Sequence, residues 1–171
     1  VQNHFNSATN MTDEFNALNC LAVIGGKTWS QASSQFYQKF ESDTLVMQKW
    51  LSVEASVDRD DILERLQELE SDKVYDKTVP NLVRSLWGSF CRNHAQFHHE
   101  SGRGYKAMAE KILEVDKLNP QLASRLSSAF RIYKKLDTPR QELVKKQLEF
   151  ILAEKGLSKN VFEIIDLTIK S

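Results

Sequence analysis

The chain has 171 residues, 41% hydrophobic and 27% charged, enough to bury a proper core and short enough for one domain. Its 23 Lys and Arg balance 23 Asp and Glu, and a net charge of zero argues against nucleic acid as the main partner, because phosphate binding needs a surplus of cations. No run approaches the roughly 20 consecutive apolar residues of a membrane helix, so no membrane partner is expected.

Residues 1–10 are polar, lack the pattern of a secretory leader, and read as a lead-in from a longer polypeptide rather than a natural start. A first helix is predicted from about Thr12 to Ile24 with Phe15, Leu18 and Ala22 on its apolar stripe, and Gly25-Gly26 ends it by permitting left-handed backbone. Thr28 is expected to cap a second helix reaching Phe40. Asp43 caps a third, buried through Val46, Met47, Trp50, Leu51 and Val53, and the acidic run from Asp58 to Asp61 opens a fourth with Ile62, Leu63, Leu66 and Leu69. Residues 71–79 read as a polar loop. Pro80 suits the first turn of a short helix ending near Phe90, and residues 92–103 read as irregular.

From Gly104 to Leu118 a helix buries Tyr105, Met108, Ile112 and Val115, and Asn119-Pro120 opens the next. Thr138-Pro139 repeats that device for a helix from Arg140 to Lys155, which Gly156 stops. Ser158 caps a last helix running through Phe162, Ile165 and Ile169. Eight or nine helices joined by short turns predict an all-α fold of antiparallel hairpins stacked as a HEAT- or armadillo-like superhelix, with a helical bundle as the alternative.

Charge is uneven along the chain. Residues 1–72 hold 5 Lys and Arg against 12 Asp and Glu, and the remainder reverses that excess with 18 against 11. Cys20 and Cys91 lie among apolar neighbours and form no Cys-x-x-Cys pair, so both are expected to be buried thiols, which suggests a reducing, cytoplasmic setting. Trp29, Trp50 and Trp87 are expected in the core.

No H-E-x-x-H, G-x-S-x-G, phosphate-binding loop or dinucleotide fingerprint occurs, so no catalytic residue is assigned and the chain is not expected to be an enzyme by itself. His94, His98 and His99 offer a weak alternative as metal ligands, but His94 is followed by Ala95 and not Glu, and a surface or capping role is expected. Three polar residues are out of keeping with a simple core. Arg84 lies among apolar neighbours, and Gln121 and Arg125 stand four apart on one helix face; pattern alone leaves open a solvated side or a structural hydrogen bond.

Asn10-Met-Thr-Asp13 before an apolar helix resembles the entry to the C-terminal domain of bacterial aminopeptidase N. Leu45-Val-Met-Gln-Lys-Trp50 with Glu54-Ala55 is similar to that family's Val-x-Asp-Lys-Trp-Phe-x-x-Gln-Ala, departing at Gln48, Leu51 and Glu54. Phe97-His98, Gly102-Arg-Gly-Tyr105, Asp116-Lys-Leu-Asn-Pro-Gln-Leu-Ala-Ser-Arg-Leu126, Arg140-Gln and Leu157-Ser-Lys-Asn-Val-Phe-Glu163 follow in the family's order and spacing. The resemblance implies that residues 11–171 are the C-terminal helical domain of a multidomain zinc aminopeptidase, closing over an active site and gating peptide access to it. The zinc and the catalytic motifs would lie elsewhere in the parent, and the partners would be the other domains of the same polypeptide and peptide substrates. Gln121 matches a glutamine lining the pocket for the first side chain of the substrate, and Arg84 and Arg125 match arginines facing the chamber. The alternative reading is an independent helical-repeat module that binds a protein partner.

Overall fold

The structure, a computed structural model, describes residues 1–170. Among these residues eleven α-helices and one 3-10 helix account for the regular structure, and no strand occurs. Two compact units divide the chain. Residues 1–76 and 81–93 form the first, and 77–80 with the described residues from 94 onward the second.

The first unit holds α1 (Gln2–Ser7), α2 (Met11–Ile24), α3 (Gly26–Phe40), α4 (Thr44–Glu54), α5 (Ile62–Glu70) and, from Asn81 on, α6 (Pro80–Phe90). The lead-in is therefore partly helical, and α1 earns its place by burying Phe5 beside α2. Asn10 caps α2 by accepting from the Asp13 amide at 2.9 Å, and Asp43 caps α4 by accepting from Leu45 and Val46. Gly25, at φ +72°, ends α2 and lets α3 begin at once, so Thr28 sits exposed inside the first turn instead of capping it. Lys39 near the end of α3 meets buried Glu14 near the start of α2 at 2.6 Å, which fixes the pair as antiparallel. Two side chains from the α6 region then close the unit. Trp87 Nε1 donates to Glu70 of α5 at 2.8 Å, and buried Asn93 donates to the Val57 carbonyl at 2.9 Å.

The second unit holds α7 (His94–Phe97), α8 (Arg103–Asp116), α9 (Pro120–Ser127), the 3-10 helix Ser128–Lys135, α10 (Thr138–Leu152) and α11 (Lys159–Lys170). Phe97 packs edge-on to Tyr105 at 5.3 Å and near Phe130 at 6.1 Å, and all three rings are buried. Asn119 caps α9 through the Leu122 amide, as its place before Pro120 predicts. The cap of α10 is Asp137, one residue earlier than Thr138, because its extended backbone aims the carboxylate at the Arg140 amide. The 3-10 turn after α9 has a local cause: the hydroxyls of Ser127 and Ser128 bond carbonyls four residues back and compete with the helical ladder.

Several predicted core positions shift. On α11 the buried set is Val161, Ile165 and Thr168, leaving Phe162 46% exposed. On α2 it is Glu14, Ala17, Leu18 and Leu21, so Cys20 turns to the surface, contrary to the expectation of two buried thiols. Cys91 is half-buried, and desolvation pushes its thiol up to about 12. All three tryptophans are core residues.

Candidate functional site

The first unit contains a cleft of about 870 Å³. One wall is a face of α3 on which Trp29, Ser33 and Tyr37 recur four apart, with Ser30 and Ser34 beside them; these small side chains leave a hollow that bulkier residues would fill. The opposite wall comes from α4, α5 and the turn between them, carrying Trp50, Glu54, Arg59 and Arg65. A hydrogen-bonded chain runs along the floor. Trp50 Nε1 donates to Ser33 Oγ at 2.8 Å, Ser33 donates to Glu54 Oε1, and Arg65 Nε donates to Glu54 Oε2 at 2.9 Å. Glu54 is 2% exposed, so only these charged and polar contacts make its burial tolerable. At the rim, Tyr37 packs on Trp50 at 4.8 Å and donates to Asp72 at 2.8 Å. Burial, and then the Asp72 carboxylate, push the Tyr37 phenol up to about 12, so it stays a donor at neutral pH.

A shallower hollow in the second unit gathers the histidines. His94 and His98 lie one turn apart with rings nearly parallel, 5.6 Å between centroids and 7° between planes. His98 Nδ1 is engaged by the Tyr105 hydroxyl at 2.8 Å, while His99 faces Ser101 at 2.9 Å. Burial first, then His94 and Arg140, lower the pKa of His98 from its ordinary value of 6.5. His98 and His99 thus have different hydrogen-bonding partners, while His94 stacks on His98. Among the described residues, no three His, Cys, Asp or Glu side chains are grouped to hold a metal ion.

Arg84 is exposed on α6 between buried Val83 and Leu86. Gln121 and Arg125 are exposed on one face of α9 and lie in the second unit, whereas Arg84 lies in the first. Neither arginine makes an ion pair among the described residues, and all three side chains are open to solvent. The floor of the cleft escaped the sequence reading. Its one signal was the Ser33-Ser34 pair on an otherwise apolar helix face, together with a glutamate at position 54.

The family model described as "Domain of unknown function (DUF3458_C) ARM repeats" matches residues 1–170. The chain belongs to this family. The ARM repeats of that description agree with the all-α fold, and the all-α prediction stands. The chain is 34% identical to the aminopeptidase N of Haemophilus influenzae over 99% of its own length and 20% of the relative's. It is 36% identical to that of Caulobacter vibrioides over 94% and 19%, and 32% identical to that of Escherichia coli over 96% and 19%. A crystal structure of Legionella pneumophila aminopeptidase A in complex with aspartic acid superposes with a TM-score of 0.90 at 30% identity, over 98% of this chain and 20% of that one. The chain thus spans about a fifth of the length of the curated relatives it matches. The family members it resembles are aminopeptidases, as the ordered sequence blocks imply.

Proposed function

We propose that this chain is the C-terminal helical domain of a zinc-dependent aminopeptidase, which closes over the active site and gates the entry of peptides whose amino-terminal residues are removed by a catalytic domain outside these residues. One observation carries the reading: the similarity to aminopeptidase N runs through nearly this whole chain, while H-E-x-x-H is found nowhere in it. A zinc ion would be held by the rest of the parent, where it would activate water for hydrolysis. What this domain contributes is exposed polar chemistry on helices. Gln121 supplies an amide to the first side chain of the substrate, and Arg84 in the first unit and Arg125 in the second each offer a guanidinium to a peptide carboxylate. The partners are therefore the other domains of the same polypeptide and short peptides. The two free thiols favour a reducing, cytoplasmic setting for the parent.

The test compares this chain with its full-length parent on an alanyl arylamide. The parent should hydrolyse it and lose activity to a chelator, regaining it with zinc, whereas the chain alone should not hydrolyse it. Chelator-sensitive hydrolysis by the chain alone, or a parent lacking both H-E-x-x-H and activity, would overturn the proposal.

A further inference from the structure

Charge in the second unit is unevenly placed. The unit holds 15 Lys and Arg against 10 Asp and Glu, and residues 117–136 account for the whole surplus, with five Lys and Arg and no acid. Lys117, Arg125, Arg131, Lys134 and Lys135 are all exposed, and among the described residues none of them is paired with a carboxylate. Lysines of α8 and α11 have acids on their own helices, as Lys106 has Glu110 and Lys159 has Glu163. Asp137, the next acid along the chain, is engaged by Arg140 at 2.6 Å.

The 3-10 helix Ser128–Lys135 sets the last three of these cations in order. Its three-residue repeat stacks side chains in rows, so Phe130 and Tyr133 form the buried row, Arg131 and Lys134 share one solvent row, and Ile132 and Lys135 share the other. Like charges held this close repel, and the end of the helix does not need them: the carbonyls of Lys134 and Leu136 accept from the Gln141 side chain at 3.4 and 2.8 Å. The second row borders the hollow that holds His94, His98 and Arg140, where Ile132, 38% exposed, adds an apolar contact. Along the axis Arg131 and Lys134 are about 6 Å apart, because a 3-10 helix rises about 2.0 Å per residue. Alternate side chains of an extended peptide recur at about 6.6 Å on one face, so carboxylates at alternate positions fit this row. Nucleic acid would ask for a broader positive face than a chain of zero net charge provides.

We infer that this basic strip is a docking surface for an extended acidic peptide, whose alternate carboxylates meet Arg131 and Lys134 while Arg125 and Lys135 extend the attracting field along the chain. The inference rests on the proposed function only for peptides as the class of partner. Binding is measured without hydrolysis, so an inactive parent would sink the peptidase reading and leave this surface standing, and a failure to bind would do the reverse.

The probe is acetyl-Glu-Ala-Glu-Ala-Glu-amide, capped so that only its side chains are charged, titrated into this chain at low salt and followed by amide chemical shifts. The same peptide with glutamine for glutamate, a short oligothymidylate of equal charge, and vesicles of phosphatidylcholine with phosphatidylserine serve as controls. The acidic peptide should bind about ten-fold more tightly than the glutamine peptide and lose that advantage in about 0.5 M NaCl. Arg131→Gln with Lys134→Gln, both exposed and outside any ion pair, should weaken it about five-fold. Lys145→Gln with Lys146→Gln, exposed on α10, removes the same net charge and should leave affinity within about two-fold, because screening confines the effect to nearby cations. Thermal melts matching the unsubstituted chain establish that each variant is folded. Equal binding of the glutamine peptide, undiminished affinity in the folded Arg131 and Lys134 variant, an equal loss in the Lys145 and Lys146 variant, tighter binding of the oligothymidylate or the vesicles, or no binding at about 5 mM peptide would each overturn the assignment.

Discussion

A carboxylate sealed from water needs charge and hydrogen bonds in place of its hydration, and Glu54 has both. Arg65 meets one oxygen and Ser33 the other, while Trp50 extends the chain from the far side. Glu54→Ala would strand Ser33 and Arg65 together, and because Arg65 is only partly exposed the expected loss is about 2–3 kcal/mol of stability. Denaturant titration checks this, and a loss below about 0.5 kcal/mol would show that water replaces the carboxylate. His98 carries the clearest pH signature. Its folded pKa is lowered, so the neutral ring favours the fold; that stability is complete above its ordinary value of 6.5 and is lost as pH falls through the lowered value. The melting temperature should therefore drop between about pH 7.5 and pH 5, and His98→Gln should flatten part of that slope. An identical slope in the variant would remove His98 from the account.

At the scale of elements, α8 depends on a residue with no side chain. A Cβ on Gly104 would lie 2.6 Å from the Phe97 carbonyl oxygen and 2.8 Å from that of Gln96, and backbone cannot yield as a flexible side chain would. Gly104→Ala should cost about 3 kcal/mol although alanine favours helix, with the loss read from denaturant midpoints at unchanged slope. A gain in stability would mean that α7 moves aside freely. Two helix starts were legible in the sequence because their causes are local: Asp43 and Asn119 each satisfy amides within three residues. Shorter pieces were not. α1 and α7 have too few residues to show a period, and the 3-10 helix continues α9 without a break in pattern.

For the whole molecule, the proposed function makes Arg84 and Arg125 the residues to test. Each is exposed and has no ion pair among the described residues, so each is available to a peptide carboxylate, at a strength limited by screening to about 1 kcal/mol. In the full-length parent, Arg84→Ala and Arg125→Ala should each slow hydrolysis of short free peptides about five-fold while sparing an uncharged aminoacyl arylamide. Equal losses on both substrates would assign these side chains to shaping the chamber rather than reading the carboxylate.

By itself the sequence determined the all-helical class, most helix starts and stops, the buried tryptophans and, through ordered motifs, the family. Periodicity, caps, prolines and paired glycines act within a few residues, so no partner helix is needed to read them. Only tertiary structure decided which of several apolar stripes faces inward. α11 buries Val161, Ile165 and Thr168 and exposes Phe162, and α2 turns Cys20 outward, because burial is set by the neighbouring helix and not by hydrophobicity alone. The cleft belongs to the same class of fact. Ser33, Glu54 and Arg65 are far apart in sequence and individually ordinary, and they become a charged floor only when α3, α4 and α5 bring them within hydrogen-bonding distance.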